Sequence, residues 1–304
     1  MNVGQKKLTL AGFLIAFLGA ILFSTKAIFV KKAFHDTEAD ALTLLTLRMI
    51  FSLPFYVAAA SFISTRASNT RMTQKQWILT VVTGILGYYL SSLLDFVGLQ
   101  YISAGLERLI LFLYPTFVVF INAIFFHQRL SRNQTIALVL TYIGIAITYY
   151  GELQIDTNNP DFLLGSFLVF LCAITYSLYI VGSGRIIPQV GATKFTAYAM
   201  LAATTGIFIH FIATKNVAVL GQDGSYWVYG ILLALVATVI PSFLISNGVK
   251  LIGANNVAII SSIGPVSTII QAHYILNEPI FAEQIIGTVL VVTGVLLLGR
   301  DKVK

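Results

Sequence analysis

Charge is scarce in this chain: Asp, Glu, Lys and Arg make up 10% of its 304 residues, where a soluble domain of this size carries about a quarter. Cysteine is almost absent. The single Cys172 excludes an intramolecular disulfide and a cysteine-ligated metal site. The phosphate-cradling G-x-x-x-x-G-K-[ST] loop is also missing, so ATP-driven transport by this chain alone is not expected. Its four histidines, His35, His127, His210 and His273, are scattered and never form the H-E-x-x-H pair of a membrane zinc protease. No cofactor is expected, and the chain is not expected to be an enzyme.

Apolar residues are abundant instead, at 57% of the chain, and mean hydropathy is +0.87. They gather into continuous blocks of about 20, each long enough to cross roughly 30 Å of hydrocarbon as a helix. Ten blocks can be counted, at roughly 9–30, 42–63, 77–99, 104–126, 134–150, 162–182, 194–213, 226–249, 254–275 and 282–299. A transmembrane β-barrel needs alternating segments of about ten residues, which these runs are not. The expected fold is therefore an all-α polytopic membrane protein. The apolar start that follows Lys6 and Lys7 outruns signal-peptide length and reads as an uncleaved first helix.

The net charge of +7 does not point to nucleic acid, because its distribution explains it. With the N-terminus in the cytoplasm, the inner side carries Lys6, Lys7, Arg66, Arg71, Lys75, Arg129, Arg132, Arg185, Lys194, Lys250, Arg300, Lys302 and Lys304. The outer side carries only Lys31, Lys32 and Lys215. The positive-inside rule then puts both termini in the cytoplasm of a plasma (inner) membrane protein.

The two halves of the chain align with each other. Residues 107–147 lie over 257–297, matching Pro115 to Pro265, Gln134 to Gln284 and Gly144 to Gly294, and residues 12–24 lie over 165–177. Two units are expected, 1–151 and 152–304, each with five spans. Five is odd, so the second unit enters the membrane from the opposite side, giving the inverted repeats of many secondary transporters.

The second unit carries a mid-span proline (Pro265), then Glu278-Pro279, Glu283-Gln284 and the helix glycines Gly287 and Gly294. In these residues the chain resembles an EamA-type domain of the drug/metabolite transporter superfamily. The first unit is similar, including Ser24 to Lys31, but has Gln128 where the pattern expects glutamate. The resemblance covers nearly the whole chain. It implies a ten-helix inner-membrane carrier of small metabolites and favours export, without specifying the metabolite.

Five charges remain inside the spans: Lys26, Arg48, Asp95, Glu107 and Arg108. At 1.5 Å per residue all lie within roughly 10 Å of the outer surface, and all belong to the first unit. The aligned positions in the second unit are uncharged, Tyr179 facing Lys26 in the alignment. Such charges are costly, about 3 kcal/mol each, and normally face a bundle interior in pairs. Two readings of Lys26 stand side by side. In one it pairs with Asp95 or Glu107 to lock helices together while Arg48 and Arg108 snorkel outward. In the other, Lys26 lines a cavity and contacts a carboxylate or phosphate of the cargo, and a carboxylate takes up a coupling proton.

Polar stripes complete the candidate site for substrate and coupling. Tyr88, Ser91, Ser92 and Asp95 share one face of the third span, and Ser261, Gly264, Thr268 and Gln271 one face of the ninth. Tyr114 and Asn247 belong to the same candidate set. Small polar residues also glue membrane helices together, so such stripes serve packing as readily as binding. Pro115 and Pro265 should kink the fourth and ninth spans. The expected function is secondary transport of small polar metabolites such as amino acids by alternating access, as a monomer or homodimer. A nucleotide-sugar or drug carrier is the alternative within transporters, and a membrane-embedded enzyme or receptor the alternative outside them. The expected partners are a small-molecule substrate, the lipid bilayer and a proton as coupling ion, and no nucleic acid.

Overall fold

A computed structural model of the chain describes residues 9–65, 71–126, 132–155, 159–221, 224–252, 260–261 and 263–300. Helices account for nearly all of these, and no β-strand occurs among the described residues. They are α1 (Leu10–Asp36), α2 (Ala41–Ser64), α3 (Gln74–Gly98), α4 (Ala104–Leu111), α5 (Tyr114–Phe126), α6 (Arg132–Ile155), α7 (Phe162–Val190), α8 (Ala192–Thr214), α9 (224–252), α10 (Ile263–Leu276) and α11 (Ala282–Arg300). Six of them, α1, α2, α3, α7, α8 and α9, contain a stretch long and apolar enough to cross a membrane. α6 and α11 contain shorter apolar stretches. The protein is a multi-pass membrane protein.

Where the helices depart from the apolar blocks, local chemistry explains it. The expected inner loop at 183–193 is mostly helix: α7 continues to Val190, and Gly191 (φ 87°) alone links it to α8. Only glycine takes that left-handed conformation without strain. α1 likewise runs to Asp36, carrying Lys31 and Lys32 on helix rather than in a loop. Hydropathy marks where lipid ends, not where the helix ends. The fourth span is broken at Phe112–Leu113, so that Pro115 becomes the second residue of α5. Its missing N–H costs nothing in a first turn. Pro265 lies in the first turn of α10, next to residue 262, which is outside the described residues, as are Gln128 and 253–259.

The helices interleave. α1 packs on α9 and α10 from the other half of the chain, and α7 packs on α3, α4 and α5. α2 sits against α8 and α9, and α6 pairs with α11. Small residues permit these approaches. A side chain on Gly144 would meet the Gly287 carbonyl at 2.6 Å, and one on Gly84 would strike the Ala199 backbone. Leu14, Leu18, Ile78, Leu163, Ile209 and Ile285 meanwhile stand exposed, an apolar surface that fits lipid.

Two helices contain a π-helical turn that the apolar pattern does not reveal: Ile85–Leu90 in α3 and Leu235–Val239 in α9. Their starts are 150 residues apart (235 minus 85), the offset at which 107–147 aligns with 257–297. In α9 the Thr238 hydroxyl donates to the Leu233 carbonyl five residues back. Such bulges inside helices recur at functional sites.

At the N-terminus of α2, Asp40 caps the helix by accepting from the Leu42 and Thr43 N–H groups, and it pairs with Lys215 at 2.9 Å. Half-burial raises its carboxyl, but the Lys215 ammonium and the Thr43 N–H outweigh this and hold it below the ordinary carboxylate value. Its contribution is therefore present at neutral pH and lost as pH falls through the folded-state value. Asp40→Asn should lower stability by about 1 kcal/mol. Thermal melting of the purified protein at neutral pH, compared with melting at acid pH where the difference should shrink, checks it.

Candidate functional site

Lys26 is answered by two carboxylates. Its Nζ lies 2.7 Å from Asp95 Oδ2 on α3 and 3.5 Å from Glu107 Oε1 on α4. α1 brings the lysine, and Ser103 caps α4 so that Glu107 falls in its first turn, where the helix dipole favours an acid. All five intramembrane charges are buried: relative exposures are 8% for Lys26, 4% for Arg48, 1% for Asp95, 0% for Glu107 and 3% for Arg108.

The arginines do not snorkel, which corrects the outward placement considered from sequence. Arg108 Nε donates to Thr268 Oγ1 on α10 at 3.2 Å, and Nη2 reaches the Phe23 and Ser24 carbonyls on α1 at 3.4 Å. Its Nε is also 3.8 Å from Glu107 Oε2. Gly264 keeps this junction open, since a side chain there would meet Ser24 Oγ at 3.3 Å and the Phe112 ring at 3.4 Å. Arg48 Nη2 donates to Ser92 Oγ at 3.3 Å, and its guanidinium lies 5.4 Å from the centre of the Phe96 ring. The physical reason is that both arginines find partners inside, on α3, α1 and α10, which hydropathy does not show.

Beside the charges runs a set of phenols. The hydroxyls of Tyr88 and Tyr179 are 2.9 Å apart, and Tyr176 stacks on Tyr179 and meets Tyr114 edge-on. Gly87 makes the first contact possible, because a side chain there would collide with Tyr179. Tyr56 and Ser242 share a hydrogen bond of 3.2 Å across α2 and α9.

Not every candidate joins. Ser91 turns its hydroxyl back to the Gly87 carbonyl. Asn247 is exposed and bonds its own helix at Phe243, and Gln271 bonds Ser267. Ser261 is half-buried. Thr268 and Ser92, members of the same stripes, carry the contacts to the arginines instead.

A cavity of about 580 Å³ opens where the end of α1, the α3–α4 link and the α10–α11 link meet. Lys31, Lys32, Gln100, Ser103, Glu278 and Gln284 are among its walls. Glu278 accepts from the Ala104 and Gly105 N–H groups at 3.0 and 3.4 Å, closing the N-terminus of α4 with a residue from the other half of the chain. Asn277 (φ 57°) directs it there: this left-handed residue ends α10, and the Glu278 N–H returns to the Ala272 carbonyl. Glu107 stands three residues inside Ala104, about one helical turn beyond the cavity wall. The Glu278-Pro279 pair was the sequence signal for this contact, but not for its target. Among the described residues no cluster of three metal-ligating side chains occurs.

A helical membrane protein with a buried, charged centre and a cavity beside it has the architecture of a carrier. The profile of the EamA-like transporter family matches residues 10–150 and again residues 163–300. The chain belongs to that family, within the drug/metabolite transporter superfamily. It is similar to the uncharacterized transporter YcbK of Bacillus subtilis, 28% identical over 91% of this chain and 89% of that protein. It is also similar to the uncharacterized transporter YyaM of the same organism, 25% identical over 81% of each. A solved structure titled only "Crystal structure of protein" shares the fold, with TM-score 0.66 and 19% identity over 94% of this chain and 96% of that one.

Two outcomes follow from the geometry. Lys26→Met strands two buried carboxylates and should cost about 3 kcal/mol or more; adding Asp95→Asn should recover most of it, as read by thermal unfolding of purified protein. Glu278→Ala should cost about 1 kcal/mol through the lost cap of α4, with Glu278→Asp recovering little because its shorter side chain does not reach both N–H groups.

Proposed function

We propose that this protein is a secondary transporter that moves small polar metabolites, amino acids among them, out across the plasma membrane by alternating access. Ten spans in two inverted five-helix units, 1–151 and 152–304, with both termini cytoplasmic, form the carrier. The observation that carries this reading is the cluster of five charges sealed at the junction of α1, α2, α3, α4 and α10. Buried charges are expensive to keep and are retained in membrane segments chiefly where a solute or ion is handled. The paired π-helical turns and the exchange of packing partners between the halves support two equivalent moving units.

Glu107 and Asp95 share one ammonium, and this makes them the candidates for the coupling proton. Protonating one carboxylate leaves Lys26 bound to the other, and so changes the tie between α1 and either α3 or α4. An outward substrate path then runs past Glu107 into the cavity walled by Lys31, Lys32 and Glu278.

Purified protein reconstituted into vesicles loaded with a metabolite mixture tests the reading. Loss of specific solutes, chemically unchanged, and faster with an imposed proton gradient, is the expected result. Formation of a new compound in place of flux would sink it. Flux indifferent to the gradient and to Glu107→Gln would remove the proton from the scheme.

A further inference from the structure

The sealed centre holds one positive charge too many. Lys26, Arg48 and Arg108 face only Asp95 and Glu107, and all five are buried, so the net charge is +1. Charges withdrawn from water are tolerated when paired, which raises the question of which cation lacks a partner. Lys26 touches both carboxylates. Arg108 has the edge of Glu107 and three further acceptors on α1 and α10. For Arg48, no carboxylate among the described residues comes within 4.0 Å. One nitrogen donates to Ser92, and the buried Nε has no hydrogen-bond partner among the described residues.

A guanidinium is a planar fork that matches a carboxylate with two parallel hydrogen bonds. One edge of this one is incompletely used, and one face lies on Phe96. Tyr56, Asp95 and Tyr88 stand within range of its charge, and Tyr88 leads to Tyr179. The surroundings are apolar rings with hydroxyl tips, suited to an organic body rather than to a hydrated ion. Asp95 and Glu107 are both engaged by Lys26, so a cargo ammonium would have to compete with it for their remaining oxygens. We propose that Arg48 binds the carboxylate of the transported solute, and that this solute is a small monocarboxylate anion with an apolar body. Binding brings the centre to neutrality. The inference rests on the carrier reading and narrows its substrate class away from zwitterionic amino acids.

The test is thermal unfolding of the purified full chain in detergent with matched probes. These are 4-methylpentanoate and 3-phenylpropanoate, their primary amides, the corresponding amino acids leucine and phenylalanine, and sodium chloride. At saturation at least one of the two carboxylates should raise the melting temperature of the wild type by roughly 5 °C, with the amides, the amino acids and chloride giving none of it. Arg48→Met should abolish the shift, and Arg48→Lys should weaken it because a lysine offers no fork. Without probe, Arg48→Met should melt at or above the wild type, since it removes an unpaired buried cation. A purely structural arginine predicts the reverse.

Equal shifts with the amides, the amino acids or chloride would overturn the proposal, as would a shift that survives Arg48→Met, an Arg48→Met protein that melts well below wild type, or no shift with either carboxylate. Vesicle flux separates this from the carrier reading. A carboxylate that binds through Arg48 yet never crosses would defeat the carrier and leave the site. A solute that crosses equally well with Arg48→Met would keep the carrier and remove the site.

Discussion

The structure depends on one ammonium group held between two carboxylates. Lys26 lies 2.7 Å from Asp95 and 3.5 Å from Glu107, and neither acid is tolerable in an apolar interior without it. Three helices must therefore meet at one point. α1 supplies the cation, α3 one acid and α4 the other, and the helix faces they bury follow from that meeting. The neighbouring choices are consistent with it: Ser103 starts α4 where Glu107 falls in its first turn, and Gly264 leaves room for the Ser24 hydroxyl and the Phe112 ring beside α10.

The centre is tied to the other half of the chain by polar rather than apolar contacts. Arg108 reaches Thr268, Glu278 closes the start of α4, and Tyr88 meets Tyr179. In a bilayer, helix association gains little from burying apolar surface, because lipid is equally apolar. Directional contacts and close backbone approach then decide which helices are neighbours. The glycines at 84, 87, 144 and 287 serve the second of these by removing side chains where backbones or rings come closest. The π-helical turns of α3 and α9 mark two sites where the regular ladder of hydrogen bonds is already altered in corresponding segments, and the one in α3 carries Gly87 and Tyr88.

Several features were legible in the amino-acid sequence for identifiable reasons. The spans could be read because insertion into lipid depends on local hydropathy. The five charges could be read because each is out of place in such a span. The carboxylate partners of Lys26 were narrowed to Asp95 and Glu107 because these are the acids read inside the apolar spans. Other features were not legible. The continuation of α7 to Val190 depends on Gly191 adopting a left-handed turn, and a glycine in a polar stretch reads equally well as loop. Arg48 and Arg108 looked free to reach the interface, because their inner partners Ser92 and Thr268 are ordinary members of polar stripes. Asn247 looked like a site residue, but on α9 it is exposed and bonds its own helix at Phe243.

What the sequence by itself determined was the solvent and the inventory: a lipid-embedded helical chain, two related units, and five charges set in apolar spans. These follow from properties of single residues and of short windows. Only the tertiary structure decided that Lys26 is shared by both acids, that the arginines turn inward and that no carboxylate among the described residues comes within 4.0 Å of Arg48. Such pairings join residues as far apart as Lys26 and Glu107, 81 positions along the chain. They depend on the rotation of each helix about its axis and on the distance between axes, and in an apolar solvent a hydrophobic pattern constrains neither.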